Sequence, residues 1–220
     1  TKIEFIGGVN DDRIGGNCSV IEHTNESGKV TRVMYDMGAM FAPYESGFEA
    51  AYPNLEDYFD RVNPVSGEVT KAKKPVDALF ITHAHEDHIG ALVSYVRMGY
   101  QLPPIKTSRF TKNLINIVFT QNGLKAPEME KVKPGANIRI GDDVVVEPFV
   151  VSHSILEPIG FHTLTFVNDK PHAGIMNFGD FLTEENMPLG ASYNKDDIED
   201  LLKRKLTTTF LIDSTSITPK

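Results

Sequence analysis

The chain has 220 residues, 40% of them hydrophobic, which suits one large domain with its own core. A formal net charge of −8 opposes a general nucleic-acid-binding surface, although bound divalent cations would reverse the field locally. No apolar run is long enough to cross a bilayer, residues 1–6 lack the pattern of a signal peptide, and the single Cys18 excludes an intrachain disulfide and points to the cytoplasm.

Residues 3–6 form a short apolar run before Gly7-Gly8 and the polar Asn10-Asp11-Asp12-Arg13. Residues 18–23 and 30–35 predict a hairpin, because the six residues between them are rich in turn formers. Cys18 lies in the first of these strands and reads as a buried packing residue. Leu55, Tyr58, Phe59 and Val62 are spaced like one face of a short helix over 52–62. Lys71, Lys73 and Lys74 read as a solvated loop. Residues 76–81 predict a strand running straight into Thr82-His83, followed by helices over 89–98, closed by Gly99, and over 111–121. The pattern then returns to strands at 138–140, 144–151, 161–167 and 173–178. Asn194 is placed to cap a helix through residue 205, with Asp196, Asp197 and Glu199 near its positive end, and 208–212 predicts a last strand. Strands in both halves with helices interspersed predict an α/β fold of αββα type, two mixed sheets face to face with helices outside.

The chemistry is concentrated in His83-Ala84-His85-Glu86-Asp87-His88. His83 and His85 are two apart, so an extended backbone turns both to one side. Asp87 and His88 follow at the strand-to-helix turn, and Glu86 alternates away. Imidazoles with carboxylates suit zinc, manganese or iron. Three of the chain's seven histidines fall in these six positions. That density makes a chance His-rich turn a poor alternative. His153 and Asp180 each follow an apolar strand, where sheet edges meet loops, and are the candidate distant ligands. An aspartate between two metals can bridge them. His23 is expected to be exposed, and His162 and His172 to be structural.

This set resembles the metallo-β-lactamase superfamily, whose signature is His-x-His-x-Asp-His with a later His and a bridging Asp. The resemblance implies His83, His85 and His153 at a first metal, Asp87 and His88 at a second, and Asp180 between them. His85 stands where the flavodiiron branch has Glu, which disfavours that redox reading. The ribonuclease J branch of the β-CASP nucleases is closer. Gly8-Val9 with Ile14-Gly15-Gly16-Asn17 resembles its opening segment, and Asp36-Met37-Gly38-Ala39-Met40-Phe41 its Asp-x-Gly-x-x-Phe. Leu79-Phe80-Ile81-Thr82-His83, Ile89-Gly90-Ala91-Leu92, His153-Ser154-Ile155, Phe178-Gly179-Asp180-Phe181 and Asp213-Ser214-Thr215-Ser216 follow in order. Arg13 departs from the branch's usual Glu, and Leu156-Glu157 from its Pro-Asp.

The branch implies a hydrolase acting on RNA, or DNA, through a hydroxide activated by two divalent metals, zinc or manganese. Asp87 and Asp180 are then the catalytic carboxylates. A small-molecule lactonase or thioesterase, or a non-catalytic module retaining the fold, are the competing readings. Residues 1–220 are expected to be the N-terminal, incomplete part of the domain. A β-CASP domain and the remaining part, with a last His ligand, are expected beyond Lys220, and the longer protein is expected to be a cytoplasmic homo-oligomer without membrane contact.

Overall fold

The computed structural model describes residues 1–9, 15–41, 50–182, 195–203, 206 and 208–212. Arg13 and Ile14 of the opening segment, the Asn194 cap, residues 204–205 of the expected last helix and residues 213–216 lie outside the described residues.

In chain order the first elements are β1 (Lys2–Gly7), β2 (Cys18–Thr24), β3 (Val30–Tyr35), β4 (Met40–Phe41), β5 (Ala50–Ala51), β6 (Asp60–Val62), β7 (Val69–Thr70) and β8 (Ala78–Phe80). Then come α1 (Glu86–Ile89), α2 (Ala91–Arg97), β9 (Tyr100–Gln101), β10 (Ile105–Thr107), α3 (Arg109–Gln121), β11 (Met129–Lys131) and β12 (Ile138–Ile140). The chain continues through β13 (Val144–Val150), β14 (Ile159–Val167), β15 (Lys170–Asn177), α4 (Lys195–Leu202) and β16 (Thr208–Leu211).

Two large sheets carry the fold. The first has the order β1-β2-β3-β8-β10-β11, antiparallel through β3 and parallel from β3 to β11. The second has the order β12-β13-β14-β15-β16, antiparallel except for the parallel β15–β16 pair. Alternation along the strands divides the core into layers. Ile21, Val33, Tyr35 and Phe80 face Val144, Val146, Phe161 and Ile175 between the sheets. Their neighbours Val20, Met34, Leu79 and Ile105 turn outward onto Leu92, Tyr95, Ile115 and Phe119 of the helices. On the far side, Met176 and Phe178 pack with Ile198 and Leu201 of α4. This is the expected αββα sandwich. The strand β8 is buried throughout because helices cover one of its faces and the second sheet the other.

Three expectations are corrected. Residues 52–62 form no helix but a turn leading into β6. The Tyr95 hydroxyl fixes that turn, accepting from the Leu55 amide at 2.9 Å and donating to the Pro53 carbonyl at 2.6 Å, so Leu55, Tyr58 and Phe59 reach the core without helical periodicity. His23 is buried, not exposed. Its Nδ1 meets the Thr1 hydroxyl at 3.0 Å and its Nε2 the Phe166 carbonyl at 3.1 Å, joining the end of β2 to the second sheet. Burial, above all, lowers its pKa. The helix expected over 89–98 is two short ones, α1 and α2, meeting at Gly90. No helix among the described residues is long and apolar enough to cross a membrane.

Candidate metal centre

The six residues singled out in the sequence converge at one edge of the sandwich. His83 and His85 follow β8, His153 follows β13, and Asp180 follows β15. Asp87 and His88 open the helical layer on α1. The carboxyl ends of β8, β13 and β15 therefore meet there, the usual location of sites in open α/β sheets.

Two donor sets result. One ring nitrogen or carboxylate oxygen from each of His83, His85, His153 and Asp180 lies within 4.8 Å of the others, and the same holds for Asp87, His88 and Asp180. His85 Nδ1 is 3.1 Å from His83 Nε2 and 3.0 Å from His153 Nε2. One ring nitrogen has a single proton or lone pair to offer, so it cannot satisfy two such neighbours by hydrogen bonding. A cation between the rings uses all three lone pairs, and tetrahedral Zn–N bonds of about 2.0–2.1 Å imply N···N edges of about 3.3 Å. Asp180 faces both sets: one carboxylate oxygen lies 3.3 Å from His153 Nε2 and the other 2.9 Å from His88 Nε2. Asp87 Oδ2 lies 3.5 Å from His88 Nε2. Glu86 is exposed, as its alternation predicted.

A buried carboxylate behind the rings sets their orientation. Asp36 is 3% exposed and held at φ 59°, a conformation costly for a residue with a Cβ. Its Oδ1 accepts the Thr82 amide at 2.8 Å, and its Oδ2 accepts the Thr82 hydroxyl at 3.0 Å and lies 2.9 Å from His88 Nδ1. The Thr82 oxygen, having donated to Asp36, can accept from His83 Nδ1 at 3.0 Å. Asp36 thus places a proton on Nδ1 of His88 directly and of His83 through Thr82. Both Nε2 atoms are left to face the site, as metal-ligating imidazoles require.

The backbone brings α1 against this turn. Met37 N donates to His88 O at 2.8 Å, Ala39 N to Glu86 O at 3.0 Å, and Asn17 N to Asp87 O at 3.0 Å. Gly38 is obligatory, since a Cβ there would fall 1.6 Å from the Asp87 carbonyl oxygen. The Asn17 side-chain amide donates to Asp87 Oδ2 at 3.2 Å. On the His153 side, Glu157 accepts the Phe110 amide at 3.0 Å and Arg109 at 2.9 Å, tying the loop to the start of α3.

The electrostatics follow from burial and facing charges. Burial, then His88, pushes His83 well below the usual imidazole range, and burial, then His153, lowers His85. Burial raises Asp87. Burial opposes ionisation of Asp180, but His153 and His88 hold its carboxyl well down. Burial alone would lower His88, yet Asp36 and Asp180 outweigh it and push it up to about 10.

Asp36, Thr82 and Asn17 were not singled out as functional by residue type. The available signal was Asp-x-Gly directly after an apolar strand, a turn that needs a left-handed residue and a close backbone approach. His23, His162 and His172 stand apart from the cluster. His162 is buried opposite Glu147 across β13 and β14, and His172 is exposed.

The profile of the metallo-beta-lactamase superfamily matches residues 45–97, which include the His83 to His88 run. Ribonuclease J of Mycobacterium tuberculosis (strain H37Rv) is 27% identical over 178 residues, covering 80% of this chain and 28% of the relative. Ribonuclease J of Corynebacterium glutamicum is 29% identical over 193 residues, covering 86% of this chain and 23% of the relative. The chain thus spans about a quarter of the length of these relatives. A solved protein of unknown function from Enterococcus faecalis V583 superposes with a TM-score of 0.64 at 18% identity, over 99% of this chain and 51% of that one. The fold is a metallo-β-lactamase-like sandwich, and the chain resembles that superfamily and, within it, ribonuclease J.

Proposed function

We propose that this chain carries the metal centre of a ribonuclease J-like phosphodiesterase that hydrolyses RNA in the cytoplasm. The observation that carries the reading is the pair of donor sets sharing Asp180, set among residues similar over most of the chain to ribonuclease J. His83, His85 and His153 with Asp180 suit one divalent ion, and Asp87 and His88 with Asp180 suit a second, zinc or manganese.

Two such ions supply a Lewis acid for a non-bridging phosphoryl oxygen and an acidified water as nucleophile. The residues of the chain determine where this happens. Asp180 presents one oxygen to each set, so it can hold both and align an attacking water with phosphorus. Asp87, held by the Asn17 amide at 3.2 Å, would be a ligand of the second ion and would orient the proton of the attacking water. Asp36 and Thr82 hold the Nδ1 protons of His88 and His83, so that Nε2 is the atom each ring turns to the site.

The test is cleavage of single-stranded, 5′-monophosphorylated RNA by the full-length protein carrying this chain. Asp180→Ala is expected to abolish cleavage while leaving the thermal unfolding cooperative. Undiminished RNA cleavage by that variant, or hydrolysis of esters or lactones without any cleavage of RNA by the wild type, overturns the proposal.

A further inference from the structure

A second concave feature lies beside the metal centre on the same edge of the first sheet. The strands β8, β10 and β11 are parallel neighbours, so their carboxyl ends open together. The end of β8 leads to His83, that of β10 to Ser108 and Arg109, and that of β11 to Val132 and Lys133. Neighbouring strands are about 4.8 Å apart, which puts the end of β11 about 10 Å along the edge from that of β8.

Between these ends and the loop that follows His153 lies a cleft of about 370 Å³. Its walls are apolar, from Val132 and Pro134 on one side and Pro158 and Ile159 on the other. It is tied to the metal centre at two points. Ile159 N donates to the carbonyl of Thr82, the residue before His83, at 3.0 Å, and Glu157 lies on the loop that carries His153.

The mouth of the cleft is cationic in a chain of net charge −8. Of its charged residues, Arg109 is paired with Glu157 at 2.9 Å, and the other Glu157 oxygen accepts the Phe110 amide. Lys131 and Lys133 also line the cleft, are exposed, and have no ion-pair partner among the described residues. The local balance is therefore positive by the two lysines. Apolar walls with a few convergent charges are the common form of a small-ligand site.

We propose that this cleft is a nucleotide subsite. It would receive the residue next to the scissile bond, with the base against the apolar walls and the phosphate on Lys131 and Lys133. The inference rests on the RNA reading above and adds to it the direction in which the strand leaves the metal centre, along the sheet edge toward β11. Phosphate contacts of this kind fix register without reading sequence.

The test uses the full-length protein and two readouts. One is equilibrium binding of a phosphorothioate single-stranded RNA across a salt series. The other is hydrolysis of bis(p-nitrophenyl) phosphate, which has neither a nucleobase nor a flanking phosphate. For K131A/K133A, RNA affinity is expected to fall at least tenfold. The slope of log K against log salt is expected to flatten by about 0.7 for each phosphate that the variant no longer neutralises. Hydrolysis of the small diester should stay within twofold of wild type. RNA cleaved by the wild type and bound equally well by the double variant overturns the subsite but leaves the proposed function standing. An equal loss in both assays also overturns it, because the lysines would then act through the metal centre. Failure of the wild type to cleave RNA removes the proposed function, and this inference with it.

Discussion

Asp36→Asn is the substitution that tests the arrangement behind the histidines most sharply. The amide has nearly the shape of the carboxylate, so packing around a side chain 3% exposed is preserved. Its oxygen can still accept the Thr82 amide, now at 2.8 Å. The NH2 group then takes the place of Oδ2, where it can only donate. Toward His88 it requires an unprotonated Nδ1, which moves the ring proton to Nε2 and blocks the ligating atom. The Thr82 hydroxyl lies 3.1 Å from the retained oxygen and can keep donating to it, so Thr82 still accepts from His83 Nδ1 and the reversal is confined to His88. Loss of such supporting partners typically costs about 10–100-fold in metal affinity, equivalent to about 1.4–2.7 kcal/mol. Competition against a zinc-binding dye measures the affinity, and nitrogen NMR of the imidazoles reports the tautomers. An affinity within twofold of wild type, or an unchanged His88 tautomer, would refute the claim that Asp36 sets that ring.

Four further outcomes are expected. Gly38→Ala puts a methyl group 1.6 Å from the Asp87 carbonyl, so the turn and α1 must separate. A loss of about 1–3 kcal/mol of stability is expected in urea unfolding, together with weaker metal binding, and unchanged unfolding would show that the close approach is not required. In a calorimetric zinc titration the set of His83, His85 and His153 should fill before that of Asp87 and His88, and two equal, tight sites would contradict this ranking. Thr82→Val should lower affinity at the His83 set about tenfold with little change in fold by circular dichroism, whereas wild-type affinity would remove Thr82 from the relay. Burial opposes ionisation of Glu157, but the Phe110 amide and Arg109 outweigh it and hold its pKa below the usual range. A carboxyl lowered on folding contributes stability above its unfolded pKa and loses it as pH falls through the folded value. Glu157→Gln should therefore flatten the decline in melting temperature below about pH 4.5 in metal-free protein, and parallel curves for the two proteins would exclude that contribution.

Much of the site was legible because metal chemistry restricts residue types. His83, His85, Asp87 and His88 fall in one short run, and His153 and Asp180 each stand just beyond an apolar strand, so strand-end position alone marked them as partners. The strands of the two sheets were legible as short, mostly apolar runs bounded by turn formers, because β2, β13 and β14 are buried on both faces along most of their length. What was not legible depends on contacts remote in sequence. Residues 52–62 have helical spacing, yet Tyr95 holds them as a turn through Pro53 and Leu55. His23 precedes a polar turn, yet the second sheet covers it. Asp36 supports the rings from a distance of 46 residues to Thr82 and 52 to His88, which no local pattern encodes. The Ser108 cap that starts α3 earlier than the expected residue 111 follows the usual Ser preference, but the apolar periodicity begins only after it.

In the proposed function, the shared Asp180 joins two donor sets into one phosphodiesterase centre. The most direct test is the rate of RNA hydrolysis by the full-length, zinc- or manganese-loaded protein, measured beside Asp180→Ala at matched metal occupancy. Cleavage by the wild type is expected, with at least a thousandfold loss in the variant, about 4 kcal/mol of transition-state stabilisation. Equal rates for the two proteins would contradict the shared role of Asp180.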